Sequence, residues 1–245
     1  MIARPDVAAA CWLSMLAAFV ALAGAAASDN GVAADVWLAE RVQDLRGAPL
    51  AEALFDLAQG AGSFEAVAAV VAVLAVALAA RGYRWQAVAG AGVVAMRLLQ
   101  LAVRSIDGWG GGGALGEGYV TPGGGFPSGH VLGQVLVYGF LFAFAPRLAG
   151  RRTTLAVRAA CLALVALGAA QRVYSGAHWP SEVLGGALLA GLYLLPVLRV
   201  EASLRVWQER RLARDAGLSA AAPSGRRAQA QPSVIEEPAA VPASV

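Results

Sequence analysis

The chain has 245 residues, 58% of them hydrophobic and 14% charged, and its mean hydropathy is +0.61. That is more apolar surface than one water-soluble domain can bury, so the composition excludes a soluble globular protein and leaves an integral membrane protein. Every basic side chain is arginine, and the arginines lie in short clusters between apolar runs, so the net charge of +3 encodes membrane orientation rather than nucleic-acid binding.

Crossing a hydrocarbon core of ~30 Å takes about 20 apolar residues. Six runs approach that length, at 8–27, 64–80, 86–103, 129–149, 153–171 and 183–200. The first also fits a signal peptide, with Arg4 ahead of the run and Ala25-Ala26-Ala27-Ser28 as a small-residue cleavage site; a retained span is favoured. The expected architecture is all-α, a polytopic bundle of about six transmembrane helices. It divides into a first transmembrane helix at 1–27, an extracytoplasmic amphipathic segment at 28–63, a core with five transmembrane helices at 64–200, and a mostly disordered cytoplasmic tail at 201–245.

If the spans alternate, Arg4, Arg81, Arg84, Arg147, Arg151, Arg152, Arg158, Arg199, Arg205, Arg210, Arg211 and Arg214 share one side, which the positive-inside rule makes the cytoplasm of a cell (inner) membrane. The loops at 104–128 and 172–182 then face outward. Between the first two spans, Val32, Val36, Leu38, Val42, Leu45, Leu50, Leu54 and Leu57 recur at helical spacing among Asp35, Glu40, Asp44, Glu52 and Asp56. This predicts one or two amphipathic helices on the outer surface, either a lid or lipid-entry ramp or a solvated hairpin.

The loop 107–125 is rich in glycine and has no Lys-[Ser/Thr] after it, so it does not make a P-loop. Beyond about residue 215, Ala, Pro, Ser and Gln predict a disordered end. Cys11 and Cys161 both lie in apolar runs, so no disulfide is expected. No metal or other cofactor is expected either, because three or more converging His, Cys, Asp or Glu ligands are needed and the two histidines stand far apart.

In the third run Arg97 and Arg104 are seven residues apart and share a helix face with Gln100 between them. Arginine within a span is costly unless it faces a wet or protein-lined interior. Phe126-Pro127-Ser128-Gly129-His130 opens the next apolar helix. Serine suits the cap there, so N–H groups near Ser128 and Gly129 are expected to be unpaired and able to bind an anion; taken alone, the stretch is read first as a plain helix cap with an interfacial His130. Gln171-Arg172 precedes His178 and Glu182, which are four apart at the start of the last run and within reach of each other if the helix begins nearby. Glu182 also fits a simple capping role. For three arginines, two histidines, a carboxylate and a helix start on one side of a membrane, an anion pocket is the economical explanation.

Arg97-(six residues)-Arg104-Ser105, then Pro127-Ser128-Gly129-His130, then Gln171-Arg172-(five residues)-His178-(three residues)-Glu182 resemble, in order and spacing, the three motifs of the phosphatidic acid phosphatase type 2 superfamily. Arginine stands for lysine at 97, serine for proline at 105, glutamine for serine at 171 and glutamate for aspartate at 182. The resemblance implies a membrane phosphatase, without metal, acting on a lipid phosphomonoester or pyrophosphate of the polyprenyl pyrophosphate, phosphatidate, phosphatidylglycerophosphate or lipid A type. It implies catalysis by His178, His130 and Glu182, with His178 the phosphohistidine nucleophile, and phosphate binding by Arg97, Arg104, Arg172, Ser128 and Gly129. The partners implied are the bilayer and its lipid phosphates, not nucleic acid. The alternatives are a phosphotransferase using the same histidine and a non-catalytic lipid-phosphate binding or transport protein.

The orientation has a direct test. In a background free of Cys11 and Cys161, an impermeant maleimide should label Leu115→Cys and spare Ala149→Cys; the opposite pattern would reverse the assignment.

Overall fold

In the computed structural model the described residues, 5–26, 33–107 and 125–221, fold into eight α-helices with no strand among them. In chain order they are α1 (Pro5–Ala26), α2 (Ala33–Gln43), α3 (Pro49–Ala61), α4 (Phe64–Ala80), α5 (Arg84–Asp107), α6 (Gly129–Leu148), α7 (Arg151–Tyr174) and α8 (Pro180–Ala221). The glycine-rich loop 107–125, the Ala-Ser junction after residue 26 and the end of the chain beyond residue 221 fall largely or wholly outside the described residues, as do the side chains of Arg97, Gln100 and Arg104 on α5.

Among the described residues four helices are long and apolar enough to cross a membrane, α1, α6, α7 and α8. A fifth arises if Pro49–Ala61 and Glu65–Ala80, bent by 56° at their junction, count as one broken span. The run expected at 86–103 lies within α5, several of whose side chains are not described.

The last helix runs past its expected end near 200. Residues 201–214 are rich in Arg, Glu, Ala and Leu, all strong helix formers that carry α8 on to Ala221. Residues from Leu204 onward form a unit of their own, in which Arg211 lies over the Trp207 ring at 5.5 Å.

The core is built around α6. Val131, Leu132, Leu136, Val137, Phe140 and Phe144 are almost fully buried there, against Leu74 and Leu78 of α4, Val93 of α5, Cys161 of α7 and Leu194 of α8. A helix buried on nearly every side lies at the centre of a bundle.

Two prolines sit inside the helices, and each is compensated. Proline has no N–H, so the carbonyl four residues earlier loses its helical donor. Pro146 frees the Phe142 carbonyl, which accepts Arg158 Nε at 3.0 Å. Pro196 frees the Leu192 carbonyl, which accepts the Trp12 indole N–H from α1, also at 3.0 Å. An apolar surround offers no water to do this job.

The segment 28–63 does more than lie on a surface. The C-terminal end of α3 enters the bundle, where Gln134 Nε2 of α6 donates to the Ala58 carbonyl at 3.2 Å and the Tyr138 hydroxyl donates to the Ala61 carbonyl at 2.9 Å. The last carbonyls of a helix are short of intrahelical donors; here α6 supplies one to Ala61 and a second to Ala58, which also accepts the Gly62 N–H at 3.1 Å. Ser63 then caps α4 by accepting the Ala66 N–H at 3.2 Å.

At the far end of α6, Arg147 pairs with the buried carboxylate of Glu201 and lies over the Tyr83 ring at 5.2 Å, while Gln86 donates to Glu201 at 2.6 Å. The arginines Arg147, Arg151 and Arg152 therefore lie about one helix length from Gly129, or ~30 Å for twenty residues.

The proline compensation predicts a coupling. Trp12→Phe should cost about 1–3 kcal/mol of stability in detergent by leaving the Leu192 carbonyl unpaired. In a Pro196→Ala background, where residue 196 can donate to that carbonyl, thermal melts should show most of the cost gone. Equal costs in both backgrounds would refute the pairing.

Candidate active site

The second histidine sits on a turn whose shape follows from its sequence. α7 ends at Tyr174, and Gly176 adopts φ +70, a left-handed conformation that suits glycine. Gly176 N–H then bonds the Val173 carbonyl at 3.0 Å and Ala177 N–H bonds the Arg172 carbonyl at 3.0 Å, the paired bonds of a Schellman motif. His178 N–H also bonds the Arg172 carbonyl, at 3.0 Å. The five residues between Arg172 and His178 are thus the length of a closed turn, which fixes the two relative to each other.

The exposed carbonyls at the end of α7 are all occupied. Gln171 O takes Ser175 N–H at 2.9 Å, Val173 O also takes Gln43 Nε2 at 3.3 Å, and Tyr174 O takes Arg46 Nε and Nη2 at 3.3 and 2.9 Å. Gln43 and Arg46 come from α2 and the turn after it.

α8 begins at Pro180, and Glu182 is its third residue. Glu182 Oε2 stands 2.7 Å from His178 Nδ1 and accepts the Trp179 N–H at 3.2 Å, with both His178 and Glu182 buried. The carboxylate therefore both caps the helix and orients the ring. A carboxylate only accepts, so the proton lies on Nδ1 and the lone pair of the neutral imidazole lies on Nε2.

The other histidine motif is tied to this one through the backbone. Ser128 N–H donates to the Glu182 carbonyl at 2.9 Å. The contact depends on Gly186, where a Cβ would stand 2.5 Å from the Ser128 carbonyl oxygen and 3.2 Å from Leu132 N. Gly185 in turn lies against the Phe126 ring. The Phe126–Pro127 peptide is cis. His130 follows on the first turn of α6, half-buried.

Two expectations at this motif are corrected. Ser128 does not cap α6 with its side chain, and its N–H is not unpaired, because the close approach of α8 engages that N–H with Glu182. The Ser128 hydroxyl is fully buried and has no hydrogen-bond partner among the described residues.

Arg172, half-buried on the last turn of α7, donates through Nε to Gln171 Oε1 at 2.6 Å, and Gln171 Nε2 donates to Gln59 Oε1 of α3 at 2.7 Å. Gln59 and Asp35, which accepts two hydrogen bonds from Ser181, escape a reading of the sequence because their partners lie 112 and 146 residues away. The structure thus joins Ser128, His130, Arg172, His178 and Glu182 at one end of the bundle. The side chains of Arg97 and Arg104 lie outside the described residues.

The PAP2 superfamily model matches residues 103–205, the segment that carries Arg104, both histidine motifs and Arg172. This segment belongs to the PAP2 superfamily. The fold is similar to that of a transmembrane PAP2 type phosphatidylglycerolphosphate phosphatase from Bacillus subtilis, with a TM-score of 0.57 and 19% sequence identity, over 78% of this chain and 96% of that one. No curated protein matches the chain. The all-helical membrane bundle expected from the sequence is similar in fold to that protein, with four or five candidate spans rather than a confirmed six.

Gly186→Ala should separate α8 from the start of α6 and cost about 1–3 kcal/mol, because the atoms met are main chain and cannot turn away. Gly60→Ala, which meets open space, should leave the melting temperature in detergent unchanged. A Gly186→Ala protein as stable as the parent would show that the two motifs are not in close contact.

Proposed function

We propose that the chain is a metal-independent membrane phosphatase that hydrolyses a lipid phosphomonoester or pyrophosphate through a phosphohistidine on His178. The observation that carries this reading is the buried 2.7 Å contact between Glu182 and His178 Nδ1, which leaves Nε2 as the nucleophilic atom. Nε2 attacks phosphorus as the P–O bond to the lipid breaks, and His130 delivers a proton to the departing oxygen. Water, losing a proton to His130, then attacks the phosphohistidine, which releases phosphate and restores His178. Glu182 stabilises the imidazolium that develops in between.

Arg172, with Arg97 and Arg104, neutralises the phosphoryl oxygens, and the Gly129 N–H at the start of α6 adds a donor. The Ser128 hydroxyl supports the same reading. A buried donor left unpaired costs about 1–3 kcal/mol, and a hydroxyl with no partner among the described residues suits a site whose substrate carries strong acceptors. A lipid substrate is favoured because the histidine motifs lie at the end of apolar helices, where headgroup phosphates sit. The arginine-rich opposite end favours an extracytoplasmic site. The candidates are polyprenyl pyrophosphate, phosphatidate, phosphatidylglycerophosphate and lipid A phosphate.

Phosphate release from mixed lipid micelles should survive EDTA, be blocked by vanadate and vanish in His178→Ala. Glu182→Gln keeps the size but loses the charge, and should lower turnover by orders of magnitude, whereas Glu182→Asp should retain much of it. Unchanged release by His178→Ala, or loss on chelation reversed by a divalent ion, would overturn the mechanism.

A further inference from the structure

At the start of α8 Glu182 meets the Trp179 N–H, but no residue just ahead of the helix offers a side-chain cap to the N–H groups that follow. The residue before Pro180 is Trp179, whose side chain has no oxygen to accept an N–H, and proline has no N–H at all. The next donor that needs a partner is therefore the Ser181 N–H. It is met from α2, where Asp35 Oδ1 accepts it at 2.8 Å while Oδ2 accepts the Ser181 hydroxyl at 2.5 Å. Both residues are buried, Asp35 to 7% exposure and Ser181 to 6%. Burial pushes the Asp35 carboxyl up from its ordinary range, and the two bonds from Ser181 oppose that shift. A carboxylate at a helix N-terminus is also favoured by the helix dipole.

Ser181 is the residue before Glu182, and three residues after His178. The same α2 donates through Gln43 to the Val173 carbonyl at the end of α7. One helix thus grips both arms of the turn that carries His178.

We propose that Asp35 is a positioning residue for catalysis: through Ser181 it fixes the first turn of α8, and with it the Glu182 carboxylate and the His178 ring. The inference rests on the phosphatase reading. Without Asp35 the first turn of α8 frays, Glu182 loses its place against Nδ1, and the nucleophile is misaimed while Arg172, held from α3 and by its own turn, still binds phosphate. Displacement on the scale of 1 Å can cost on the order of 10²-fold in rate. The loss falls on kcat rather than on KM.

The test compares the parent, Asp35→Ala, Asp35→Asn and His178→Ala in detergent, reading kcat and KM per folded protein and the imidazole resonances of histidine-labelled samples. The chain has two histidines, so His178→Ala assigns its signal directly. Asp35→Ala should lower kcat on the order of 10-fold to 10²-fold, leave KM within about twofold, and lose or shift the hydrogen-bonded Nδ1 proton of His178. Asp35→Asn keeps an acceptor for the Ser181 N–H and should restore both readouts.

Asp35→Ala protein that melts earlier yet keeps the parent's kcat per folded molecule and an unaltered His178 signal would overturn the proposal, leaving Asp35 a fold-stabilising cap. A loss of kcat with the His178 signal unaltered overturns it as well. Should the parent release no phosphate from any lipid phosphate, the phosphatase reading fails, and the His178 signal alone decides whether Asp35 positions the ring.

Discussion

Glu182 reaches Nδ1 of His178 with its carboxylate at 2.7 Å and accepts the Ser128 N–H on its main-chain carbonyl at 2.9 Å, so a single residue joins the two histidine motifs. The two bonds differ in what they constrain. The side-chain bond sets the tautomer and aim of one ring, and the main-chain bond sets how far α8 stands from the start of α6. The second is possible only because Gly186 lets two backbones meet without a Cβ between them. The spacing of the site is therefore held by backbone contacts, which yield less readily than side-chain contacts.

The remaining geometry follows from the rule that polar backbone groups in apolar surroundings must find partners within the protein. The end of α7, the start of α8 and the end of α3 each leave carbonyls or N–H groups with room for a further partner, and side chains from elsewhere in the chain meet them. Gln43 and Arg46 serve α7, Asp35 serves α8, and Gln134 and Tyr138 serve α3. Beyond its amphipathic spacing, the α2–α3 segment thus supplies partners to helix ends around the histidine motifs. Asp35, Gln43, Arg46 and Gln59 reach toward the histidine motifs, while Trp37, Leu50 and Leu57 remain exposed.

What the sequence reveals and what it conceals divide by distance along the chain. The helices at 64–80 and 129–149, and the contact of His178 with Glu182, depend on neighbours within a turn or two, so composition and spacing suffice to read them. The capping of α8 by Asp35, the bridge from Gln59 to Gln171 and the seat of Trp12 on Leu192 link residues 146, 112 and 180 positions apart. Nothing in one sequence marks such pairs. The misjudged cap at Ser128 has the same origin, since a serine before a helix is a sound local sign of a cap and only the approach of α8 reassigns its N–H.

The departures from the family pattern take on a different meaning once their neighbours are known. A glutamine at 171 in place of serine weakens the motif when seen alone, yet its amide uses both ends, accepting from Arg172 Nε and donating to Gln59. A hydroxyl has too short a reach to span those two groups. Serine for proline at 105 lets α5 continue unbroken to Asp107, where proline would remove a helical bond. Glutamate for aspartate at 182 reaches His178 Nδ1 and the Trp179 N–H with one oxygen. At 171 and 182 the longer side chains each have partners, Gln171 through both ends of its amide and Glu182 through one carboxylate oxygen.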